Sequence, residues 1–238
     1  FIMQLLVLAG GFGTRLKSVV SSVPKPLAPI MGRPFLNFQM ENWTSQGITD
    51  YIFLLHYEAK KIIDFIEIWQ QENQNRNINV RFVVEDKPLG TGGSIANAVK
   101  KFNIRSRFFV SNADTWLDSG FSLLSESPSP SIAVTMVDNV SRYGSVIIGE
   151  DNFVKSFAEK STNQVPGTIN TGISCLDSEI FFSWDGGICS LERDYLPQLA
   201  KKGNLYSVCL DENFIDIGIP EDYERFCKWV EKDKISPL

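Results

Sequence analysis

Continuous apolar runs alternate with amphipathic stretches through the first half of the chain. An apolar run that ends at a glycine, such as residues 3–8, is typical of a strand buried on both faces of a parallel sheet. Apolar residues at helical spacing, such as Ile62, Ile66 and Trp69, predict amphipathic helices between such strands. The strands predicted in this half are residues 3–8, 51–55, 80–84 and 108–111. This alternation predicts right-handed crossovers, a parallel sheet and ligands at the carboxyl ends of its strands.

The second half of the chain is richer in short strands separated by polar or glycine turns. The strands predicted here are residues 132–137, 145–148, 154–157 and 168–175. They favour a mixed sheet that extends the parallel one. A last helix is predicted to begin at Pro220, because proline suits the first helical position. The residues expected to pack this helix on the body are Tyr223, Phe226 and Trp229 or Val230.

Length, charge and cysteine content exclude several classes of protein. The 238 residues are expected to form one domain, and the net charge of −5 predicts no general attraction to nucleic acid or to an anionic membrane. The four cysteines contain no Cys-x-x-Cys pair, so they are interpreted as reduced thiols. The apolar start of the chain lacks a basic leading region and resembles a core strand more than a signal peptide. With no membrane-spanning stretch, a cytoplasmic protein is expected.

The segment LAGGFGTRL, which follows the first predicted strand, is the strongest candidate for a binding loop. A Walker loop is excluded because the chain has Gly13-Thr14-Arg15 where that motif needs Gly-Lys-Ser/Thr, and the dinucleotide pattern fails because Leu16 replaces its last glycine. The three glycines, at positions 10, 11 and 13, still allow backbone N–H groups to approach an anion, and Arg15 adds a fixed charge. A triphosphate suits this arrangement. The alternative is an ordinary strand-to-helix turn with a surface arginine.

Four further motifs carry charged residues at predicted strand ends or turns. They are Pro-Lys-Pro around Lys25, the stretch EDKPLGTGG from Glu85, Asn-Ala-Asp ending at Asp114, and FIDIG with Asp216. A lysine between two prolines is restricted in position and can neutralise phosphate oxygens. Two aspartates at strand ends can share a magnesium ion with substrate phosphates, because Mg²⁺ usually takes only one or two protein carboxylates. Taken singly, each aspartate could equally be a cap or turn residue.

In this order, LAGGFGTRL, PKP, EDKPLGTGG, NAD, Glu159-Lys160, Asn-Thr-Gly from Asn170, and FIDIGIPEDY resemble the sugar-1-phosphate nucleotidylyltransferases. The resemblance covers nearly the whole chain. It implies an α/β fold, a Rossmann-like three-layer nucleotidyltransferase fold with a mostly parallel central sheet and a mixed-sheet sugar-binding extension. It also implies a single domain over residues 1–238, with a nucleotide-binding half at about 1–128 and a sugar-binding half at about 129–238.

The resemblance implies a reaction in which an oxygen of a sugar 1-phosphate attacks the α-phosphorus of a nucleoside triphosphate. The products are a nucleoside diphosphate sugar, for surface-glycan biosynthesis, and pyrophosphate. No covalent enzyme intermediate and no general base are needed, because positioning and charge neutralisation by Mg²⁺ and cationic side chains carry the catalysis. The substrates are the implied partners, and a homo-oligomer is compatible with the resemblance.

The resemblance also assigns roles to individual residues. Its nucleotide-binding residues are Leu8, Ala9, Gly10, Gly11, Gly13, Thr14, Arg15, Glu85, Pro88, Gly90 and Thr91. Its sugar-phosphate-binding residues are Asn112, Tyr143, Gly144, Glu159, Lys160, Asn170 and Gly172. The catalytic residues are Arg15, Lys25 and Asp114, and the metal ligands are Asp114 and Asp216.

Glu85 indicates which nucleobase the site recognises. One carboxylate can accept from both N1–H and N2–H of guanine, whereas uracil or thymine offers only N3–H, so GTP is favoured. Within the family, members that transfer guanylyl groups to D-glycero-D-manno-heptose 1-phosphate are the most similar in SVVSSVPKPLAPI, EDKPLGTGG and FIDIGIPEDY. Mannose, glucose or N-acetyl sugar 1-phosphates with UTP or dTTP stay open as alternatives. Ala113 stands where the family usually has glycine, and it is tolerable unless that position needs a positive φ.

Two other classes of function fit parts of the sequence. A hydrolase would use Ser94 in a relaxed nucleophile elbow with His56 as base, but the long loop after residue 84 argues against the sharp turn that an elbow needs. A catalytically silent sensor of nucleotides or sugar phosphates would keep the binding loop and lose its metal ligands. The alanine at position 113 is the feature that favours a sensor.

Overall fold

The computed structural model describes residues 3–11, 23–158 and 164–232. Five residues to which the resemblance assigns roles lie outside these ranges: Gly13, Thr14, Arg15, Glu159 and Lys160. The described residues group into two compact units. The first unit comprises those within Phe1–Lys87, Ser111–Asp118 and Asn213–Leu238, and the second those within Pro88–Val110 and Ser119–Glu212. The expected single domain with halves divided at about residue 128 stays a prediction.

The helices and strands follow one another in the order that the apolar pattern indicates. The strands are β1 (Gln4–Leu8), β2 (Pro29–Ile30), β3 (Arg33–Pro34), β4 (Asp50–Leu55), β5 (Asn79–Val84), β6 (Arg107–Asn112), β7 (Thr115–Leu117), β8 (Ser131–Val137), β9 (Ser145–Ile148), β10 (Val154–Ala158), β11 (Gly167–Asp177), β12 (Tyr206–Cys209) and β13 (Phe214–Asp216). The α-helices are α1 (Phe35–Ser45), α2 (Ala59–Glu72), α3 (Gly90–Lys101), α4 (Phe121–Glu126), α5 (Leu196–Lys201) and α6 (Pro220–Glu231).

The first unit contains three parallel strands in the order β1, β4, β5. Leu6 of β1 pairs with Ile52 of β4, and Ile52 pairs with Arg81 of β5. The central residues of β1 and nearly all of β4 are buried, as expected for strands covered on both faces. The three strands predicted in this part of the chain are therefore confirmed, and their carboxyl ends lie along one edge.

The aromatic residues of α6 hold the short strands of the first unit in place. Phe226 is fully buried, and its ring centroid lies 4.9 Å from that of Phe35 on α1 and 5.2 Å from that of Trp116 on β7. Such pairs stabilise a core beyond the area that they bury. Because β7 and β13 pair with each other and α6 follows β13, this cluster fixes both segments that carry the candidate metal ligands. The predicted start of α6 at Pro220 is confirmed.

The second unit has a mixed sheet in the order β12, β8, β11, β6. Here β12 and β8 are parallel, whereas β11 is antiparallel to both β8 and β6. The strands β9 and β10 form a separate antiparallel ribbon. The predicted mixed-sheet extension is confirmed. Strand β12 was not predicted, because four residues that alternate weakly in polarity give little periodic signal.

All four cysteines are free thiols, as predicted from their spacing: Cys175, Cys189, Cys209 and Cys227. Burial raises the pKa of the Cys175 thiol to about 11, which keeps it protonated and unreactive near neutral pH. None of the helices in the described ranges has the length and apolar character needed to cross a membrane.

Candidate active site

The glycine segment of the first unit leaves the sheet at the carboxyl end of β1. Leu8 is the last residue of that strand, and Ala9 is buried behind it. Gly10 passes close to the residue that follows β4, since a β-carbon on Gly10 would lie 3.3 Å from the Cβ of His56. Gly11 is exposed with open space around its α-carbon. The backbone of this segment is therefore accessible at the edge of the sheet where ligands of parallel sheets bind.

Lys25 lies in a short 3-10 turn, Lys25–Leu27, between two prolines. Its Nζ is 3.0 Å from Oδ2 of Asp114. The side chains are 13% and 30% exposed, so the ion pair is only partly in contact with solvent. Partial burial weakens solvent screening of this pair. The structure thus brings together two residues that lie 89 positions apart in the chain.

Asp114 is displayed by a tight connection between β6 and β7. The backbone N–H of Ala113 donates to the Leu8 carbonyl at 3.0 Å, and the Asp114 carbonyl accepts from the N–H of Ile217 at 2.9 Å. Ala113 is 1% exposed and is not among the described residues with positive φ. Its methyl group is therefore accommodated without backbone strain. The sequence feature that favoured a silent sensor carries no structural penalty.

Asp216 ends β13 opposite Thr115, the residue that follows Asp114. Its Oδ1 accepts from the N–H of Gly218 at 2.7 Å. A β-carbon on Gly218 would lie 2.7 Å from that same oxygen and 3.0 Å from Nζ of Lys25. Oδ1 of Asp216 and the Lys25 ammonium that Asp114 contacts therefore lie beside the same α-carbon, and a methyl group at position 218 would have to displace one of them.

The donor set of this cluster fits a hard divalent cation. It offers two carboxylates, and Mg²⁺ commonly takes one or two carboxylates and completes its shell with water and substrate phosphates. The described ranges contain no group of three or more histidine, cysteine, aspartate or glutamate side chains suited to a metal ion. Gly218 keeps the space between the charged groups clear of a methyl group.

Glu85 follows β5 and is held by two backbone contacts. Its N–H donates to the Leu55 carbonyl at 2.8 Å, and its carbonyl lies 2.9 Å from Nδ1 of His56. The residue is 8% exposed. Burial of a carboxylate is costly unless hydrogen-bond donors compensate for the lost water. His56, the residue after the end of β4, therefore has an ordinary hydrogen-bond partner.

The glycine-rich stretch of the second unit begins α3. Gly90 has φ of +74°, and a β-carbon there would collide with the carbonyl oxygen of Cys189. That same oxygen accepts from the N–H groups of Gly92 and Gly93 at 3.0 and 3.2 Å. Two backbone N–H groups in the first turn of α3 are thus satisfied within the unit. Pro88 lies two residues before this helix.

Thr91 makes its hydroxyl contacts with the π-helical turn at Leu191–Tyr195. Its Oγ1 donates to Oε2 of Glu192 at 2.7 Å and accepts from the N–H of Leu191 at 2.8 Å. This partner could not be predicted, because nothing in the local pattern of residues 189–195 indicates a segment that packs on a distant helix. The hydroxyl of Thr91 therefore has a structural task in this unit, and its nucleotide-binding role stays a prediction.

Ser94 does not stand at a nucleophile elbow. It is the fifth residue of α3 and is 8% exposed. An elbow presents its serine on the sharp turn between a strand and a helix. The hydrolase hypothesis has no support in this geometry.

Among the described residues, those predicted to bind the sugar phosphate lie in two places in the second unit, apart from Asn112, which ends β6. Tyr143 and Gly144 lie between β8 and β9, and the N–H of each donates to the Val140 carbonyl at 3.0 Å. Asn170 and Gly172 lie in β11, where the pairing with β8 shifts register between residues 170 and 174. Such irregularities often re-aim side chains beside active sites.

Asn170 and the residue after it stabilise this irregularity. Oδ1 of Asn170 accepts from the N–H of Gly172 at 3.0 Å. Oγ1 of Thr171 donates to the Ala133 carbonyl at 3.0 Å on the neighbouring strand. The Asn-Thr-Gly motif thus forms an irregularity within β11 that these hydrogen bonds stabilise.

Comparison with known proteins identifies the family. A family model described as nucleotidyl transferase matches residues 4–232. The chain is 35% identical over 225 residues to D-glycero-alpha-D-manno-heptose 1-phosphate guanylyltransferase of Campylobacter jejuni, covering 94% of this chain and 98% of that protein. It is 33% identical to mannose-1-phosphate guanyltransferase 2 of Candida glabrata, of which it spans 63% of the length.

Solved structures agree with this assignment. HddC from Yersinia pseudotuberculosis, complexed with GMP-PN, is 38% identical and superposes with a TM-score of 0.81 over 96% of this chain and 99% of that one. A glucose-1-phosphate thymidylyltransferase from Bacillus anthracis, described as putative in its structure, shares the fold at 20% identity and a TM-score of 0.81. The expected α/β three-layer fold with a mostly parallel central sheet is confirmed. The chain belongs to the nucleotidyl transferase family and is a nucleotidyltransferase enzyme that acts on sugar 1-phosphates.

Proposed function

We propose that this enzyme transfers a guanylyl group from GTP to D-glycero-D-manno-heptose 1-phosphate. The products are GDP-heptose and pyrophosphate. The relative from Campylobacter jejuni is named for this reaction, and it matches nearly the full length of both chains. The observation that carries the proposal in this chain is the cluster of Lys25, Asp114 and Asp216 at one edge of the first unit. Its charges suit a reaction between two phosphates.

In the proposed step, an oxygen of the sugar phosphate attacks the α-phosphorus of GTP. A new phosphorus–oxygen bond forms as the bond to the β-phosphate oxygen breaks, and both electrons leave with pyrophosphate. Negative charge has to be neutralised at both phosphates as they approach each other. Lys25 supplies a cation for this task from a turn with little freedom to move. The Asp114 carboxylate accepts a hydrogen bond from that ammonium and holds it in place.

Asp114 and Asp216 would hold Mg²⁺, and Arg15 is proposed to steady the triphosphate. When bound, the ion supplies a Lewis acid that polarises phosphoryl oxygens and orients the reacting groups. Asp216 keeps a fixed orientation, because its Oδ1 accepts from the N–H of Gly218. Neither carboxylate needs to act as a base, since the attacking phosphate oxygen is already ionised near neutral pH.

The nucleotide is proposed to lie along the backbone of Gly10 and Gly11, with Glu85 reading guanine. Two donors of guanine would compensate for the burial of this carboxylate. HddC was solved in complex with GMP-PN, a guanine nucleotide analogue, and this complex supports the same base for this chain. The roles of the other nucleotide-binding residues rest on the sequence motifs: Leu8, Ala9, Gly13, Thr14, Pro88, Gly90 and Thr91.

The sugar phosphate is proposed to contact polar and glycine residues of four short segments. They are Asn112, Tyr143, Gly144, Glu159, Lys160, Asn170 and Gly172. Lys160 is the proposed cation for the sugar phosphate. Mannose 1-phosphate is the second candidate acceptor, because the relative from Candida glabrata is named for it. A role in surface-glycan biosynthesis and a cytoplasmic location remain predictions.

The test is pyrophosphate release by the purified chain with Mg²⁺. GTP, UTP, dTTP, CTP and ATP are each paired with D-glycero-D-manno-heptose 1-phosphate, mannose 1-phosphate and glucose 1-phosphate, with Asp114→Asn as control. We expect release with GTP and the heptose, and loss of release in the control. Release with another pair would overturn the proposed substrates but retain the reaction. Tight binding of GTP with no release for any acceptor would favour the sensor.

A further inference from the structure

Two amide side chains of α1 and that of its C-terminal cap residue form hydrogen bonds with the segment that carries Asp114. Gln39, Asn42 and Gln46 are spaced by three and four residues, so they project from the same face of the helix. The nitrogen of each amide donates to a backbone carbonyl within residues 112–118. Helix α1 is thereby attached to this segment through side chains as well as through apolar packing.

Gln39 contacts two backbone carbonyls of this segment with one amide nitrogen. Its Nε2 is 2.7 Å from the Thr115 carbonyl and 3.3 Å from the Asn112 carbonyl. These two acceptors lie on either side of Asp114. A single amide therefore joins the end of β6 to the start of β7 and determines how tightly the chain turns between them.

The remaining backbone groups of the turn are also engaged. The N–H of Ala113 is bonded to Leu8, and the carbonyl of Asp114 is bonded to Ile217. With the two bonds from Gln39, each residue from 112 to 115 has at least one backbone group held. The backbone that carries the Asp114 side chain is consequently held in place.

Stability alone does not account for a glutamine at position 39. The residue is 1% exposed, and within the described part of the chain its Oε1 has no hydrogen-bond partner. Burying a polar atom without a partner is unfavourable, whereas methionine fills a similar volume without a polar amide. The amide at this position is better explained by what its nitrogen holds than by the packing of α1.

We propose that Gln39 is a positioning residue for metal binding. By holding both sides of the turn, it keeps the Asp114 carboxylate beside Lys25 and in the orientation that a divalent cation requires. Groups that orient a metal ligand typically change metal affinity 10–100-fold when removed. The proposal rests on the proposed function, because it takes Asp114 as a ligand of the cation.

The test compares Gln39→Met with Asn42→Leu in the full chain. Asn42 is a matched control, because its Nδ2 donates to the Leu117 carbonyl at 2.9 Å from the same face of the same helix. Affinity for Mn²⁺, a paramagnetic substitute for Mg²⁺, is measured by electron paramagnetic resonance without nucleotide. Thermal unfolding and hydrogen exchange of residues 111–118 are measured on the same samples.

We expect Gln39→Met to raise the Kd for Mn²⁺ about tenfold and to speed exchange near Asp114. Asn42→Leu should leave that Kd within about twofold of the wild type, although both variants lower Tm by roughly 2–4 °C. An unchanged Kd in folded Gln39→Met, or an equal rise in both variants, overturns the proposal. Gln39→Leu is the second variant should Gln39→Met fail to fold. Loss of folding in both, with Asn42→Leu folded, would assign Gln39 to stability and also overturn it.

Asp114→Asn is titrated in parallel to separate the two proposals. If this change leaves Mn²⁺ affinity unaltered, the metal role of Asp114 fails and the role of Gln39 fails with it. If Asp114→Asn weakens Mn²⁺ binding but Gln39→Met does not, only the positioning role of Gln39 is overturned. Turnover at increasing Mg²⁺ gives an independent readout, since a positioning defect is reduced at high Mg²⁺.

Discussion

Gly218 in the first unit and Gly90 in the second both occupy positions where a methyl group would collide, but with different neighbours. At Gly218 the nearest atoms belong to two charged side chains, those of Asp216 and Lys25. At Gly90 they belong to the backbone of Cys189. The first glycine keeps space within a group of charges, and the second lets one chain segment pack on another. A glycine in a binding motif can thus serve chemistry or packing, and its neighbours distinguish the two.

The largest effect should come from the charged group itself. Asp114→Asn should lower kcat about 1,000-fold at fixed Mg²⁺, because the amide neither neutralises Lys25 nor holds a cation well. Asp118→Asn is the matched control, since that carboxylate accepts from Nε1 of Trp116 at 2.6 Å and belongs to the same unit. Steady-state pyrophosphate release measures both. Near-normal turnover in Asp114→Asn would show that the charged cluster of the first unit does not take part in the reaction.

Gly218→Ala tests the neighbouring glycine directly. A methyl group would have to displace Oδ1 of Asp216 or Nζ of Lys25, so we expect kcat to fall about 100-fold. Tm should change little, because flexible side chains can move aside. Steady-state kinetics and thermal unfolding are compared on one preparation. A large loss of stability with normal kcat would show that this glycine, too, serves packing.

Gly90→Ala should give the opposite profile. Its positive φ and its contact with Cys189 predict a loss of about 2 kcal/mol in the free energy of unfolding, which lowers Tm by roughly 4–8 °C. Below the transition, kcat should remain within about threefold of the wild type. Urea unfolding followed by circular dichroism gives the free energy. If stability is unchanged and KM for GTP rises, the glycine contacts nucleotide.

Glu85→Gln tests recognition of the nucleobase and should have the smallest effect of these substitutions. The loss of one charged acceptor for guanine should lower kcat/KM for GTP about tenfold. UTP turnover, measured at high enzyme concentration, should fall less, because uracil has a single N–H donor at its pairing edge. Glu67→Gln, at an exposed position of α2, serves as the control for loss of a charge. Equal losses with both nucleotides would exclude Glu85 from base selection.

Long elements were predictable from the sequence because each carries a repeating signal. The buried runs of β1 and β4 and the spacing of Ile62, Ile66 and Trp69 on α2 report which faces lie inside. The three-residue strands β7 and β13 carry too few positions for any period to appear. They are nevertheless the elements that bring Asp114 and Asp216 together.

The candidate site was predictable only as far as its motifs are local. Lys25, Asp114 and Asp216 were each identifiable from residue type and from family resemblance, and the structure brings their charged groups together. Gln39 gave no signal, because a polar residue in an amphipathic helix is normally solvent-exposed. Its role is visible only when the distant segment that accepts its hydrogen bonds is packed against it.

The sequence by itself determined the family, the alternation of strands and helices, and the identity of the charged residues. These properties depend on the order of residue types along the chain, which the sequence contains directly. The tertiary structure decided that Gly218 lies beside charged side chains whereas Gly90 lies against backbone. It also decided that Thr91 bonds to the π-helical turn, and that Gln39 bonds to carbonyls on both sides of Asp114. Those properties depend on contacts between residues that are far apart in the sequence, and such contacts exist only after the chain has folded.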